Sequence, residues 1–192
     1  MSASATGRVH AASLNLPTGL RYEFYLLGPD DWIAVVRFYE SLDVYSIYYR
    51  FLGLYRDFEA HAKRLFSGRC NYAFGAFVGD GGTPVGLGEG FSDCTSAELA
   101  FAVRPEHRGR GLATVLASLL VLEAARRGIR TMEAYMHAEN VPAVRIGERL
   151  GLNLVIEEGG VYHGKAEVAR IKGLALKAIE DKGAMLAPTY TL

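Results

Sequence analysis

Hydrophobic residues recur with two different periods along this chain of 192 residues. Short runs in which apolar residues are dense or alternate with polar ones are typical of strands, and a return at every third or fourth position is typical of helices. Strands are predicted over residues 20–27, 72–78, 84–91, 97–103, 131–136, 152–157 and 161–169. Helices are predicted over residues 32–42, 54–65, 141–150 and 171–182, and a long helix is predicted from residue 112 that ends at Gly128.

The order of these elements predicts the fold class. A strand, the long helix and a second strand follow one another between residues 97 and 136, and such a unit gives a parallel pair. The strands within residues 72–91 are joined by Asp80-Gly81-Gly82, which is typical of an antiparallel hairpin. We therefore predict one α+β domain with a mixed, mostly antiparallel central sheet, one parallel pair and flanking helices. This domain spans residues 18–170, after a loose polar tail over 1–17 and before a C-terminal helix and tail over 171–192.

Charge and cysteine content argue against several classes of function. Lys and Arg together number 21, as do Asp and Glu, whereas a protein that binds nucleic acid usually carries a basic excess. No apolar run is long enough to span a membrane, and the N-terminus lacks the apolar core of a secretory signal. Cys70 and Cys94 form no C-x-x-C motif. They predict neither a disulfide framework nor a zinc site and favour reduced thiols in the cytoplasm.

A turn rich in glycine and arginine lies between the strand over 97–103 and the long helix. The sequence VRPEHRGRGLAT runs from Val103 to Thr114. Gly109 and Gly111 let a ligand approach the backbone, and the first turn of a helix leaves N–H groups without partners. Together with the helix dipole and two arginines, this arrangement forms a cradle for phosphate groups. The loop of nucleotide triphosphatases is excluded because no Gly-Lys-Ser/Thr is present, and the dinucleotide fingerprint is also absent.

Two motifs resemble those of the GNAT superfamily of N-acetyltransferases. Arg108, Gly111 and Ala113 form R-x-x-G-x-A, which resembles the loop that binds the pyrophosphate of acyl-CoA. The segment HAENVPAVRIGERLGL over 137–152 resembles a later motif, in which Asn140 opens a helix. The resemblance implies the GNAT fold and acetyl-CoA as cosubstrate, without a metal. The cofactor-binding residues that it implies are Phe101, Ala102, Val103, Arg108, Gly109, Arg110, Gly111, Leu112, Ala113, Thr114 and Asn140. Asn140 can equally serve as the cap of its helix.

Shorter segments are similar to the Pat-type protein lysine acetyltransferases. They are AELAFAV before the loop and Ser-x-Tyr-Tyr-Arg-Phe over 46–51. The resemblance implies that Glu98 is the general base and that the backbone near Val103 contacts the carbonyl oxygen. It also implies that Tyr48, Tyr49 and Arg50 form one wall of the acceptor site, although this aromatic run can instead belong to the core. Burial in a partly apolar cleft raises the pKa of a carboxyl group, which makes it a stronger base.

Gly147 departs from the family pattern. Many relatives place a tyrosine here as the acid that protonates the leaving thiolate. Tyr135, Tyr162 or water remain as proton donors, and we favour water because a thiolate is a tolerable leaving group.

These features predict transfer of an acetyl group to an amine, with an accessible lysine of a protein as the leading acceptor. The alternatives are a small amine, a protein N-terminus, or a CoA-binding regulatory module without catalysis. His107 and His137 flank the expected cleft, but a solvated position is favoured for the first and a core or loop position for the second. A covalent route through Cys94 is not favoured, because direct transfer is usual in the superfamily.

Overall fold

A computed structural model describes residues 7–79 and 82–191. The strands within these residues are β1 (Val9–Asn15), β2 (Arg21–Leu26), β3 (Tyr72–Val78), β4 (Gly86–Ser92), β5 (Ser96–Val103), β6 (Thr131–His137), β7 (Asn153–Glu157), β8 (Val161–Glu167) and β9 (Ala184–Leu186). The helices are α1 (Trp32–Glu40), α2 (Val44–Phe51), α3 (Phe58–Ser67), α4 (Leu112–Arg126), α5 (Val141–Arg149) and α6 (Val168–Asp181). Short 3-10 turns, Pro29–Asp31 and Pro105–His107, come before α1 and α4.

All strands belong to one mixed sheet in the order β7-β8-β6-β5-β4-β3-β2-β1-β9. Strands β5 and β6 run parallel, and every other neighbouring pair in the described chain is antiparallel. The parallel pair results from the crossover through α4, because the chain must travel back along the sheet before β6 begins. The predicted α+β class with one parallel pair is therefore confirmed.

Helices cover both faces of the sheet. On one face α4 is buried along almost its whole length, because the sheet lies on one side of it and α6 on another. On the other face α1, α2 and α3 enclose a second apolar cluster that contains Val35, Phe38 and Leu65. Within the described residues, no helix is both long and apolar enough to cross a bilayer.

Two segments that the sequence assigns to tails contribute strands. Strand β1 pairs with both β2 and β9, and its residues 11–14 are buried. Strand β9 follows the last helix, and Tyr190 beyond it is buried with its hydroxyl 3.0 Å from Glu123 Oε2. These short strands escape prediction because pairing and burial against neighbours stabilise them, rather than a local apolar pattern. Residues 1–6 and 192 of the predicted tails, and Asp80 and Gly81 of the predicted turn, lie outside the described residues.

Cys70 and Cys94 form a disulfide, so the prediction of two reduced thiols is wrong. Cys70 comes just before β3 and Cys94 just after β4, and these strands pair with Tyr72 opposite Gly90. The open end of this hairpin brings the two cysteines together with Cα atoms 5.2 Å apart, a separation that suits a disulfide. The sequence hides the pairing because 24 positions separate the cysteines. With no free thiol in the chain, cysteine usage no longer supports a reducing compartment.

Candidate active site

The glycine-rich turn connects β5 to the start of α4. Gly109 and Gly111 have φ angles of +74° and +87°, in the left-handed region that glycine adopts without strain. Gly111 is the N-cap of α4 and provides no side chain to cap it. In the described part of the chain, the backbone N–H groups of residues 109–114 donate no hydrogen bond. These donors and the positive end of the helix dipole are available to an anionic ligand.

A cleft of about 660 Å³ opens in front of this turn, a size typical of cofactor sites. The predicted cofactor residues that line it are Phe101, Ala102, Val103, Arg108, Gly109, Gly111, Leu112, Ala113, Thr114 and Asn140. The side chain of Arg110 differs from the expectation, because its Nη1 donates to the Tyr22 hydroxyl at 2.6 Å rather than facing the cleft. Asn140 caps α5 through its Oδ1, which accepts the Ala143 N–H at 3.4 Å.

Arg108 links the turn to helix α2. Its Nε donates to the carbonyl oxygen of Val103 at 3.1 Å, and its Nη2 donates to Ser46 Oγ at 2.5 Å. Ser46 lies in the first turn of α2, where Asp43 caps the helix by accepting the Ser46 N–H at 2.8 Å. Hydrogen bonds from Ser46 are the main cause that lowers the pKa of Asp43, with a contribution from the charge of Arg108. The N-terminus of α2 is therefore fixed against the turn.

Strands β5 and β6 separate from one another beside the cleft. They pair only from Ser96 to Glu98 and from Thr131 to Glu133. Beyond these residues a cavity of about 40 Å³ lies between them. Its lining is largely apolar and consists of Tyr49, Arg50, Leu99, Ala100, Phe101, Ala134, Tyr135, Met136, Asn140, Ala143, Ile146, Gly147, Leu150 and Leu152. Five of these residues, Tyr49, Phe101, Asn140, Ala143 and Ile146, also line the large cleft, so the two spaces adjoin.

Gly147 is buried in α5 and faces apolar side chains. A Cβ atom at this position would lie 3.4 Å from Met136, 3.5 Å from Leu154 and 3.6 Å from Leu152. These are ordinary contact distances, so a methyl group fits. A tyrosine ring does not fit without displacing these side chains.

Tyr135 and Tyr162 lie on opposite faces of the sheet. Tyr162 packs against the large core, whereas Tyr135 lines the small cavity and stacks on His163 with ring centroids 4.5 Å apart. Burial raises the pKa of Tyr135, and the carboxylates of Glu133, Glu157 and Glu98 raise it further. Tyr135 is therefore a protonated phenol at neutral pH.

Glu98 lies on the exposed face of β5, next to the point where the strands separate. It shares this face with Ala100, which lines the small cavity, because alternate residues of a strand point the same way. Within the described residues Glu98 makes no ion pair. Its partner across the parallel pair, Glu133, accepts from Lys165 Nζ at 2.6 Å and contacts His163 Nε2 at 3.3 Å. The hydrogen bond from Lys165 is the main cause that lowers the pKa of Glu133.

Glu89 on β4 is a buried carboxylate that the sequence analysis did not identify. It is 0% exposed, forms an ion pair with Arg50, and accepts from the Tyr39 hydroxyl at 2.7 Å. His61 Nε2 lies 3.1 Å from its Oε1. Arg50 was expected in the acceptor wall, but its side chain is only 7% exposed and its charge is already paired. The signal available in the sequence is a single glutamate within the apolar, glycine-rich strand GLGEGFS.

The other two residues expected in the acceptor wall flank His137. Tyr48 stacks on the His137 ring with centroids 4.9 Å apart and planes inclined by 10°, and Tyr49 meets the same ring nearly edge-on. Tyr49 lines both the cleft and the small cavity, whereas Tyr48 is 40% exposed. Helix α2 thus places one aromatic ring inside the cleft and another on its rim.

Comparison with known proteins identifies the family of this chain. A model of the acetyltransferase (GNAT) family matches residues 35–152, more than half of the chain. The chain belongs to the GNAT acetyltransferase family. The acetyltransferase Pat of Mycolicibacterium smegmatis is 32% identical to it over 76 residues, which make up 40% of this chain and only 23% of that relative.

Solved acetyltransferase structures share its fold. The GNAT domain of S. lividans PAT superposes with a TM-score of 0.70 at 24% identity, over 82% of this chain and 96% of that domain. The protein yncA from Salmonella typhimurium, solved with its cofactor acetyl-CoA, gives a TM-score of 0.62 at 17% identity, over 77% of this chain and 94% of that one.

GNAT acetyltransferases use acetyl-CoA, and the residues of this cleft fit that molecule. The free N–H groups of residues 109–114 suit a diphosphate, and a Cβ atom at Gly109 would meet nothing within 4 Å, so the space beside this residue is open. The adjoining apolar cavity between β5 and β6 suits the acyl end of the molecule. No group of three or more His, Cys, Asp or Glu side chains within residues 7–79 and 82–191 is arranged to hold a metal ion.

Proposed function

We propose that this protein transfers the acetyl group of acetyl-CoA to the amine of a lysine side chain on a protein, with Glu98 as general base. The observation that carries the proposal is the unpaired Glu98 carboxylate beside the opening between β5 and β6. A lysine amine has a reference pKa of about 10.4 and must lose a proton before it can attack. A carboxylate at this position is suited to accept that proton.

The neighbouring carboxylates are less suited to this role. Glu89 is fully buried, and its negative charge is held by Arg50. Glu133 is already bound to Lys165 and His163. A base must be able to take up a proton from the substrate, so a carboxylate that cations already stabilise is a poor candidate.

The remaining steps are assigned to backbone groups and to the strand opening. Acetyl-CoA supplies an acetyl group activated as a thioester. The amides of residues 109–114 hold its diphosphate, and the backbone N–H groups near Val103 donate to the carbonyl oxygen as negative charge develops there. Tyr135 lines the opening and is protonated at neutral pH, and water also reaches this face, so either can return a proton to the thiolate.

A protein acceptor is favoured by the exposed apolar residues of α2 near the cleft. Val44 and Tyr45 at the start of α2 are 67% and 77% exposed, and Tyr48 follows on the same helix. Exposed aromatic residues are common where proteins contact one another.

The test is to compare Glu98→Gln with the matched variant Glu133→Gln. Thiol release from acetyl-CoA is measured with a mixture of lysine-containing proteins, small amines and peptide N-termini as acceptors, and acetylated lysines are identified by mass spectrometry. We expect Glu98→Gln to lower kcat by about 100-fold or more without weakening acetyl-CoA binding in calorimetry. Glu133→Gln is expected to retain activity within a few-fold.

Three results would contradict the proposal. Equal turnover by wild type and Glu98→Gln would remove Glu98 from the mechanism. Binding of acetyl-CoA without turnover of any acceptor would favour a CoA-binding regulatory module, and turnover of small amines alone would replace the protein acceptor.

A further inference from the structure

The glycine-rich turn between β5 and α4 uses most of its own cations for contacts within the protein. Arg108 donates to Val103 and Ser46, and Arg110 donates to the Tyr22 hydroxyl. His107 contacts the same hydroxyl at 2.9 Å. Burial is the main cause that lowers the pKa of His107, so its ring is neutral at pH 7. The turn therefore offers a ligand mainly its backbone N–H groups.

Coenzyme A carries more charge than these amides can bind. Besides the diphosphate, its ribose bears a 3′-phosphate, a monoester with close to two negative charges at neutral pH, since the second pKa of such groups is about 6. A phosphomonoester is best bound by lysine or arginine side chains. If the diphosphate occupies the amides of residues 109–114, the 3′-phosphate requires cations from elsewhere on the cleft.

Lys182 is one such cation. It follows α6 directly, where its N–H caps the helix by donating to Ile179 and Glu180. Its side chain extends over the glycine-rich turn. A Cβ atom at Gly111 would lie 3.0 Å from Lys182 Cδ, 3.5 Å from its Cγ and 3.7 Å from its Cε. The missing side chain of Gly111 thus makes room for the lysine stem. Lys182 lines the large cleft and lies outside residues 35–152, the part that matches the family model.

Arg145 on α5 is the second cation. It is exposed and lines the same cleft, and it comes from an element separate from α6. Among the described residues neither Arg145 nor Lys182 has a carboxylate within 4.0 Å. The acidic residue that also lines the cleft, Glu139, pairs with neither of them. Two unpaired cations from different helices therefore border the site whose amides suit a diphosphate.

We propose that Lys182 and Arg145 bind the 3′-phosphate of coenzyme A and allow the protein to select it over its 3′-dephospho form. This inference rests on the proposed use of acetyl-CoA and assigns a specific phosphate to two residues outside the glycine-rich turn. Lysine acts as a point charge above the turn, and arginine adds directed donors from α5.

The experiment is isothermal titration of the full chain with coenzyme A and with 3′-dephospho-coenzyme A. Wild type is expected to bind coenzyme A about 10- to 100-fold more tightly, the range for hydrogen bonds to charged groups. Lys182→Met keeps the apolar stem over Gly111 and removes the charge, and Arg145→Met does the same on α5. Each single variant is expected to reduce the preference and the double variant to abolish it, with binding of the dephospho form unchanged.

Arg149→Met is the matched control, because Arg149 is an exposed arginine of the same helix that does not line the cleft. It is expected to leave the preference unchanged. Equal binding of the two nucleotides by wild type would overturn this inference and leave the proposed function intact, as would a double variant that keeps the full preference. A wild-type protein that binds neither nucleotide would overturn the proposed function and, with it, this inference.

Discussion

The buried ion pair between Glu89 of β4 and Arg50 of α2 allows a direct test of what holds α2 against the sheet. Glu89→Gln replaces a carboxylate by an amide of nearly the same shape and removes one negative charge. The carboxylate is 0% exposed and contacts three donors, Arg50, Tyr39 and His61. In the variant the Arg50 guanidinium stays buried without a counterion, and the new amide NH₂ faces groups that are themselves donors.

The expected loss is large because both partners are enclosed. Removing one member of a buried, hydrogen-bonded ion pair costs about 3–5 kcal/mol of the free energy of unfolding. For a chain of 192 residues this corresponds to a fall in Tm of roughly 6–20 °C, at about 2–4 °C per kcal/mol. Glu59→Gln is the matched control, because Glu59 pairs with Lys63 in α3 while the two side chains are 58% and 62% exposed. Its expected cost is about 0.5 kcal/mol or less.

The loss also depends on pH in a defined direction. Burial alone would raise the pKa of Glu89, but the charge of Arg50 and hydrogen bonds from His61 and Tyr39 lower it to about 2, from a reference value of 4.5. The folded state therefore binds this proton less readily than the unfolded state does. The contribution of Glu89 to stability is complete above pH 4.5 and is lost as the pH falls toward 2.

The assay is urea unfolding of wild type, Glu89→Gln and Glu59→Gln at pH 7, 4 and 3, followed by far-UV circular dichroism. The fluorescence of Trp32, the single tryptophan, gives a second probe because it packs against the cluster beside α1. The gap between wild type and Glu89→Gln should be widest at pH 7 and should narrow at the two acid values. A gap below about 1 kcal/mol at pH 7, no more than the cost of a typical single substitution, would refute this reasoning, and so would a gap that stays constant with pH.

Two further changes test other parts of the fold. Reduction of the Cys70–Cys94 bond, or Cys94→Ser, is expected to lower the free energy of unfolding by about 3 kcal/mol, because the bond closes a loop with a sequence separation of 24. The urea midpoint of wild type should therefore fall when dithiothreitol is added. An unchanged midpoint would show that the bond is absent or contributes nothing to stability. Gly147→Ala is expected to raise the free energy of unfolding by about 1 kcal/mol, because alanine has the higher helix propensity. The new methyl group fits, since it would lie no closer than 3.4 Å to its neighbours. A lower Tm of the ligand-free variant would show that the methyl group does not fit.

The central part of the fold could be predicted because its residues signal their structure locally. Helix α4 repeats apolar residues over many turns and ends before Gly128, whose φ angle is +71°. Strand β5 and the turn after it contain a motif with fixed glycine positions. Gly109 and Gly111 both adopt positive φ angles, which is the physical reason that the motif requires glycine.

The elements that sequence reasoning missed depend on partners distant in the chain. Strand β1 has the sequence VHAASLN, in which only Val9 belongs to the residue types enriched in strands, and it forms because β2 and β9 pair with it. The disulfide depends on the pairing of β3 with β4, which brings two positions just beyond the ends of these strands close together. Neither feature has a signature within a window of a few residues.

The candidate site shows the same division between local and distant signals. The unpaired backbone donors of residues 109–114 follow from the motif, because glycine positions and a helix start determine the backbone geometry. Side-chain destinations do not follow from the motif. Arg110 contacts Tyr22 and Arg50 contacts Glu89. Each partner lies more than 35 positions away in the sequence, so the motif alone does not indicate it.

Helix α2 connects these observations because an arginine anchors it at each end. Near the C-terminus of α2, Arg50 pairs with Glu89 of β4. Near the N-terminus of α2, Ser46 accepts a hydrogen bond from Arg108 of the glycine-rich turn. Tyr49 lies between these anchors and lines both the cleft and the small cavity. The position of Tyr49 is therefore set partly by the glycine-rich turn. A change at Arg108 removes a contact to α2 as well as a charge beside the cleft, so the donor and acceptor sides of this site do not vary independently.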